Sequence, residues 1–237
     1  MTPQARPAPP GGETAPAEFR FMGLGFPAMP DVLAPRAETE LLGRAALEAL
    51  AARGRARPLV VDMCCGAGNL AVAIAARVVG ARAFACDLTD GAVAAARASV
   101  ARHGLGDRVS VLQGDLFAPL ADHDLEGRVD LVVCNPPYIS TGRLAKDRAH
   151  LLADEPREAF DGGPYGIAIL QRIAREAGRF LAPGGVLACE FGEGQGRQVE
   201  RLLARTGTWA DIAFLADASG TARVVTARRA ASSDIAA

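Results

Sequence analysis

The residues Asn135-Pro136-Pro137-Tyr138 close the apolar run VVC at 132–134. The Asn135 side-chain oxygen and a main-chain carbonyl near Pro136 are two acceptors suited to the two N–H bonds of a planar NH2 group. Two consecutive prolines fix φ and restrict the residue before them, so such acceptors are held stiffly. The ring face of Tyr138 can pack on a planar group. An amide or arylamine nitrogen is a poor nucleophile because its lone pair is delocalised. Holding it in this cradle aims that lone pair, and orientation supplies of order 7–11 kcal/mol at best. The chemistry implied is group transfer to nitrogen. It needs no strong base, because the nitrogen's proton turns acidic once the group arrives. A proline-rich turn closing a strand is the plain structural alternative.

The second constellation is VVDMCCGAGNLA, where Gly66 and Gly68 sit between an apolar run and a helical pattern. A glycine turn backed by a helix N-terminus lets the main chain approach a ligand closely. Gly66-x-Gly68-x-x-Ala71 also meets a permissive dinucleotide fingerprint, with Asp87 at about the interval of a ribose-binding acid. Asp62 ahead of the glycines argues against a dinucleotide, since an acid there repels pyrophosphate. It suits a ligand carrying an ammonium. S-adenosylmethionine (SAM) offers that ammonium, a ribose for Asp87, and an adenine to lie near Asp115 and Leu116. SAM is therefore the expected methyl donor, with Asp62, Gly66, Gly68, Asp87, Asp115 and Leu116 placed to bind it. Taken singly, Asp62 reads equally as a helix cap and Asp115 as a loop acid.

These residues must be brought together by the elements between them. FRFMGLGFP is punctuated like a small hairpin, and a helix opens near Glu38. Buried strands follow at RPLVVDM, ARAFACD, RVSVLQGD and RVDLVVCN. Helices are predicted at GNLAVAIAARVVG and TDGAVAAARASVARHG, the latter with Thr89 as cap and Gly104 as stop. A further helix spans about Tyr165 to Leu181, where Ile167, Leu170, Ile173, Ala174, Ala177, Phe180 and Leu181 recur at helical spacing. PGG then turns the chain into the strand VLACEF; a helix carries Val199, Leu202 and Leu203, and WADIAFLA and TARVVTAR form two last strands. Alternating strands and helices imply an α/β fold with a mostly parallel sheet covered on both faces. Ligands bind such sheets outside the carboxyl ends of the strands. There stand Asp62, Asp87, Asp115, Asn135 and Glu190.

Composition bounds the alternatives. Half of the 237 residues are apolar, 22% are charged, and the formal net charge is −1. That balance argues against a strongly basic nucleic-acid surface or a polybasic membrane anchor, so neither nucleic acid nor membrane is expected as partner. Cys64, Cys65, Cys86, Cys134 and Cys189 lie in or beside apolar runs without CxxC spacing, as free thiols in a reducing cytoplasm do. His103, His123 and His150 lack zinc spacing, and no metal is expected. Residues 1–18 are rich in Pro, Ala and Gly without an apolar core segment, so they read as a disordered lead rather than a signal peptide. No run approaches the ~20 apolar residues of a spanning helix. The protein is expected to be soluble and cytoplasmic. Its domain runs over 19–229, with a hairpin and helix lead-in at 19–53, a catalytic core at 54–229 and a loose tail at 230–237.

The sequence resembles the HemK-type glutamine N5-methyltransferases. The likeness runs from about Phe19 to Gly196, through VLAPRAETELL, VVDMCCGAG, ACDLT, GDLF, VVCNPPYIS, EPREAFDGGPYG and LAPGGVLACEFGEGQG. Asn-Pro-Pro-Tyr also occurs in other amino-group methylases; its combination with EPREAFDGG makes the resemblance specific. It implies a class I SAM-dependent methyltransferase (Rossmann-like) fold, a seven-stranded sheet with helices on both faces and its last strand antiparallel. It implies that Cys64, Cys65, Gly66, Ala67 and Gly68 border SAM, that Asp87 takes the ribose, that Leu116 flanks adenine and that Asn135 touches both cofactor and acceptor. Asn135, Pro136, Pro137 and Tyr138 would hold the target amide, with Glu155, Pro156, Gly162 and Gly163 shaping the acceptor pocket. Cys64 stands where the family usually has its first glycine, and Ala37 replaces a family proline. Family members usually carry a helical domain ahead of the hairpin, where this sequence has only residues 1–18. The resemblance implies a glutamine side-chain amide, of release-factor type, as default acceptor, whereas the departure at the N-terminus favours the alternative. A small metabolite methylated by the same site is the alternative, followed by adenine or by SAM binding without turnover.

Overall fold

A computed structural model describes residues 18–29, 32, 34–141 and 162–231. Strands β1 (Glu18–Phe21) and β2 (Leu24–Pro27) form the expected hairpin, which begins at Glu18, one residue inside the predicted lead. Phe19 stacks on Phe26, and fully buried Phe26 meets the His103 ring at 5.2 Å. Helix α1 (Ala37–Arg53) places Glu38 and Glu40 in its first turn, where carboxylates complement the helix dipole. Glu40 Oε1 also accepts from Met22 N at 2.7 Å, tying the helix to the hairpin.

The remaining elements alternate as predicted: β3 (Leu59–Met63), α2 (Asn69–Arg77), β4 (Arg82–Asp87), α3 (Asp90–Arg102), β5 (Val109–Gln113) and β6 (Val129–Cys134). They continue with α4 (Ala168–Phe180), β7 (Leu181–Glu190), α5 (Gly196–Thr206), β8 (Trp209–Ala216) and β9 (Ala222–Arg229). The Thr89 hydroxyl caps α3, accepting from Ala92 N at 3.3 Å. The main sheet has the order β5-β4-β3-β6-β7-β9-β8, parallel except that β9 runs against both neighbours.

Two-residue alternation divides the core. Val60, Leu131 and Val133 face the side covered by α1 to α3, whereas Val61, Val132 and Cys134 face α4 and α5. Each fully buried Val or Leu contributes about 1.5–3 kcal/mol. In α2 all of Asn69 to Ala75 is buried, which its small side chains allow by close approach.

Three details depart from the expectation. Helix α4 starts at Ala168 rather than Tyr165, because Gly166 has φ +73 and Tyr165 points outward. The PGG segment is no separate turn but lies inside β7, where the pairing with β6 shifts register between Val129 and Leu131. An unanticipated 3-10 turn, Ala118–His123, follows β5. Glu155, Pro156 and His150 lie outside the described residues. Among the described residues no helix is long and apolar enough to cross a membrane.

Candidate active site

The chain leaves β3 for α2 on one side and β6 pairs on the other, so the crevice above β3 and β6 is the switch point where such sheets bind ligands. The glycine turn above β3 is left-handed at Cys64 (φ +56), Gly66 (φ +52) and Gly68 (φ +71). The chain thus carries a side chain at a conformation that favours glycine, a strain of order 1–2 kcal/mol. Gly68 also sits close to α3: a Cβ there would lie 3.2 Å from that of Ala96, a tight contact. The turn is pinned by Cys65 N donating to Cys86 O (3.0 Å) and Gly68 N to Cys65 O (2.8 Å).

Asp87, ending β4, organises the turn electrostatically. Its Oδ2 accepts from Gly66 N at 2.9 Å, and its Oδ1 from Thr89 N at 3.2 Å. Asp62 has a different place from the one expected. It is fully buried beneath the turn, accepts from Ala71 N at 2.9 Å and does not line the cavity. Burial pushes its carboxyl up to about 7, opposed by the Ala71 bond and helped by the Asp87 charge. Ala67, Gly68, Pro136 and Tyr138 also stay off the cavity wall.

A cavity of about 150 Å³ brings the others together: Cys64, Cys65 and Gly66 from the turn, Asp87, Asp115 and Leu116 from the next two strand ends, and Asn135 and Pro137 from the proline loop. Asp115 sits at the rim in a two-pronged ion pair with Arg172, both contacts 2.9 Å and both side chains about half exposed. Such exposed pairs are worth up to about 1 kcal/mol.

The proline loop is held from behind. Gln195 donates from Nε2 to Tyr138 O at 2.9 Å and to Gly166 O at 3.2 Å. Gly162 approaches so closely that a Cβ on it would lie 2.7 Å from Pro137 O. The Tyr138 ring is turned away from the cavity toward Glu190 and Arg223, whose guanidinium carbon lies 5.9 Å from the ring centroid. Burial and then the Glu190 charge push its phenol up to about 12, so it stays protonated.

Several wall residues escape sequence reasoning, among them two polar side chains, Asn69 and Thr39. Asn69 is buried on the wall with Nδ2 unpartnered, a free donor where α2 begins. Thr39 reaches the wall from α1 and accepts from Asn135 Nδ2 at 3.2 Å. Only the spacing of the PRAETE stretch from the helix start hints at Thr39.

A parallel sheet with a reversed inner strand, a glycine turn and an acid ending the neighbouring strand define the class I methyltransferase fold. The chain belongs to the methyltransferase small domain family, whose model matches residues 39–164. It is 42% identical over 192 residues to a 4-amino-L-phenylalanine/4-methylamino-L-phenylalanine methyltransferase of Streptomyces pristinaespiralis, covering 80% of this chain and 63% of that protein. It is 38% identical over 196 residues to the release factor glutamine methyltransferase of Gloeobacter violaceus, covering 83% and 66%. The chain thus spans about two thirds of the length of these relatives, and the HemK-type resemblance is borne out. Among solved structures, the N-terminal domain of human METTL16 in complex with SAH shares the fold, with TM-score 0.59 and 14% identity over 83% of this chain and 72% of that one.

Proposed function

We propose that the chain is a SAM-dependent N-methyltransferase that acts on a planar amide or amino nitrogen, by default the side-chain amide of a protein glutamine of release-factor type. One observation carries the reading: Asn135 and Pro137 share a single cavity with the glycine turn and Asp87.

The wall suits the donor. Asn69 Nδ2 is a buried donor in need of an acceptor, which a carboxylate supplies. Gly66 has open space where a Cβ would stand, leaving its main chain accessible. Asp87 keeps lone pairs for ribose hydroxyls beside its bonds to Gly66 and Thr89. When bound, SAM supplies an electrophilic methyl carbon on a sulfonium. Asn135 Oδ1 and a main-chain oxygen of the proline loop receive the acceptor's N–H bonds and aim its lone pair. The stiff loop keeps that aim, and the proton leaves after transfer without a dedicated base.

A second acceptor, the ring amino group of an aminophenylalanine, is favoured by the Streptomyces pristinaespiralis relative. The test is to incubate the protein with methyl-labelled SAM and either purified release factor or 4-amino-L-phenylalanine. Label on the release-factor glutamine supports the default, label on the amino acid alone replaces it with the second reading, and label on neither overturns both.

A further inference from the structure

We infer that Thr39 and Glu190 are positioning residues that fix which way the Asn135 carboxamide faces, keeping its oxygen toward the acceptor nitrogen. The inference rests on the reading of Asn135 as the group that holds the acceptor.

A carboxamide presents two ends of nearly equal size and opposite hydrogen-bonding character. If Asn135 were turned over, its NH2 would meet the acceptor's NH2, donor against donor. Shape alone does not choose between the two states, so hydrogen bonding must. Thr39 Oγ1 donates to Glu190 Oε2 at 2.8 Å, and Thr39 and Glu190 are each 1% exposed. An ionised carboxylate only accepts, and a hydroxyl has a single proton. That proton is committed to Glu190, which leaves the Thr39 oxygen able only to accept. Asn135 must answer with Nδ2, as it does at 3.2 Å. Its Oδ1 is then left for the cavity.

Burial, helped by the Glu38 charge, raises the Glu190 carboxyl above its ordinary value on balance, while the Thr39 hydroxyl, the nearby Arg223 cation and the Tyr138 phenol favour the carboxylate form that the relay uses. Arg223 comes from β9, is itself buried, and stands 3.6 Å from Glu38 in α1. Four separate segments thus meet to define one side-chain rotation. Since Thr39 also lines the cavity, contact with the donor is the competing role to be separated.

The test compares Thr39→Val, which keeps the shape and removes the hydroxyl, with Thr39→Ser, which keeps the hydroxyl. SAM affinity is measured by calorimetry, and turnover with whichever acceptor is labelled. The side-chain NH2 signals of Asn135 are followed in 15N-labelled protein, assigned by their loss in Asn135→Asp. The expected result is that Thr39→Val lowers kcat about tenfold or more, leaves SAM affinity within about threefold, and shifts the Asn135 signals, whereas Thr39→Ser does none of these. An unshifted Asn135 signal in Thr39→Val overturns the inference, as does lost SAM affinity with unchanged kcat. Thr39→Ala takes the place of Thr39→Val if the latter does not fold. Should no acceptor be methylated, the Proposed function fails, while the NH2 signals still decide the orientation of Asn135.

Discussion

Gln195 Nε2 donates to the main-chain oxygen of Tyr138 at 2.9 Å, joining segments 57 residues apart. The same side chain accepts from Gly192 N at 2.7 Å, so the loop after β7 is stapled to the proline loop through one amide. Gln195→Ala removes these two bonds and the one to Gly166 O, and should cost about 1–3 kcal/mol of stability. On the proposed reading the loop carries the acceptor contacts, so kcat should fall more than SAM affinity. Denaturant unfolding with paired kinetics and calorimetry checks both effects.

Asn135→Ala removes a side-chain acceptor from the wall and leaves the glycine turn intact. SAM binding should stay within about tenfold while turnover drops by about a hundredfold or more, since orientation carries the rate. Turnover that survives the substitution would remove Asn135 from its assigned role.

Asp87 is predicted to act on binding. It anchors Gly66 N and Thr89 N at once, so Asp87→Ala should loosen the turn as well as lose the proposed ribose contact. Hydrogen bonds to charged groups are worth about 1.5–3 kcal/mol each, so SAM should bind at least about tenfold more weakly. Titration calorimetry that finds no loss would take Asp87 out of the site.

Asp62 gives stability a pH dependence. Its carboxyl rises from an ordinary 3.8 to about 7 in the fold, so the folded state holds a proton that the unfolded chain has released. The associated stability is fully present below about pH 4 and is lost as pH rises to about 7, a change of order 4 kcal/mol. Asp62→Asn keeps an acceptor for Ala71 N and should flatten that slope. Urea unfolding of the cofactor-free protein at about pH 5 and about pH 7.5 measures the difference between variant and parent.

Much of this architecture is legible in the residues because the signals are local. The buried runs ending in Asp62, Asp87 and Asn135 are short and bounded by turns, and Thr89 announces its helix by residue type. The strand ends then identify the wall from Cys64 to Gly66 and from Asp87 to Leu116. What escapes is set by tertiary distance. Thr39 meets Asn135 across 96 residues, and no periodicity carries that information. Asp62 illustrates the same limit: its type and position suit an ammonium, but the depth of the turn places it beneath the wall rather than on it. Tyr138 likewise finds its partners on β7 and β9, which the proline motif by itself does not reveal.

The seating of β9 between β7 and β8 bears on how the protein is made. As the chain emerges from the ribosome, β8 precedes β9, the only strand it pairs with among the described residues, and its ladder groups wait for water or for a wrong partner until β9 arrives. The open flank of β7 waits with it. Completion of the sheet is therefore a late event in biogenesis, and an interrupted translation product ending before Ala222 would expose two unsatisfied edges prone to self-association.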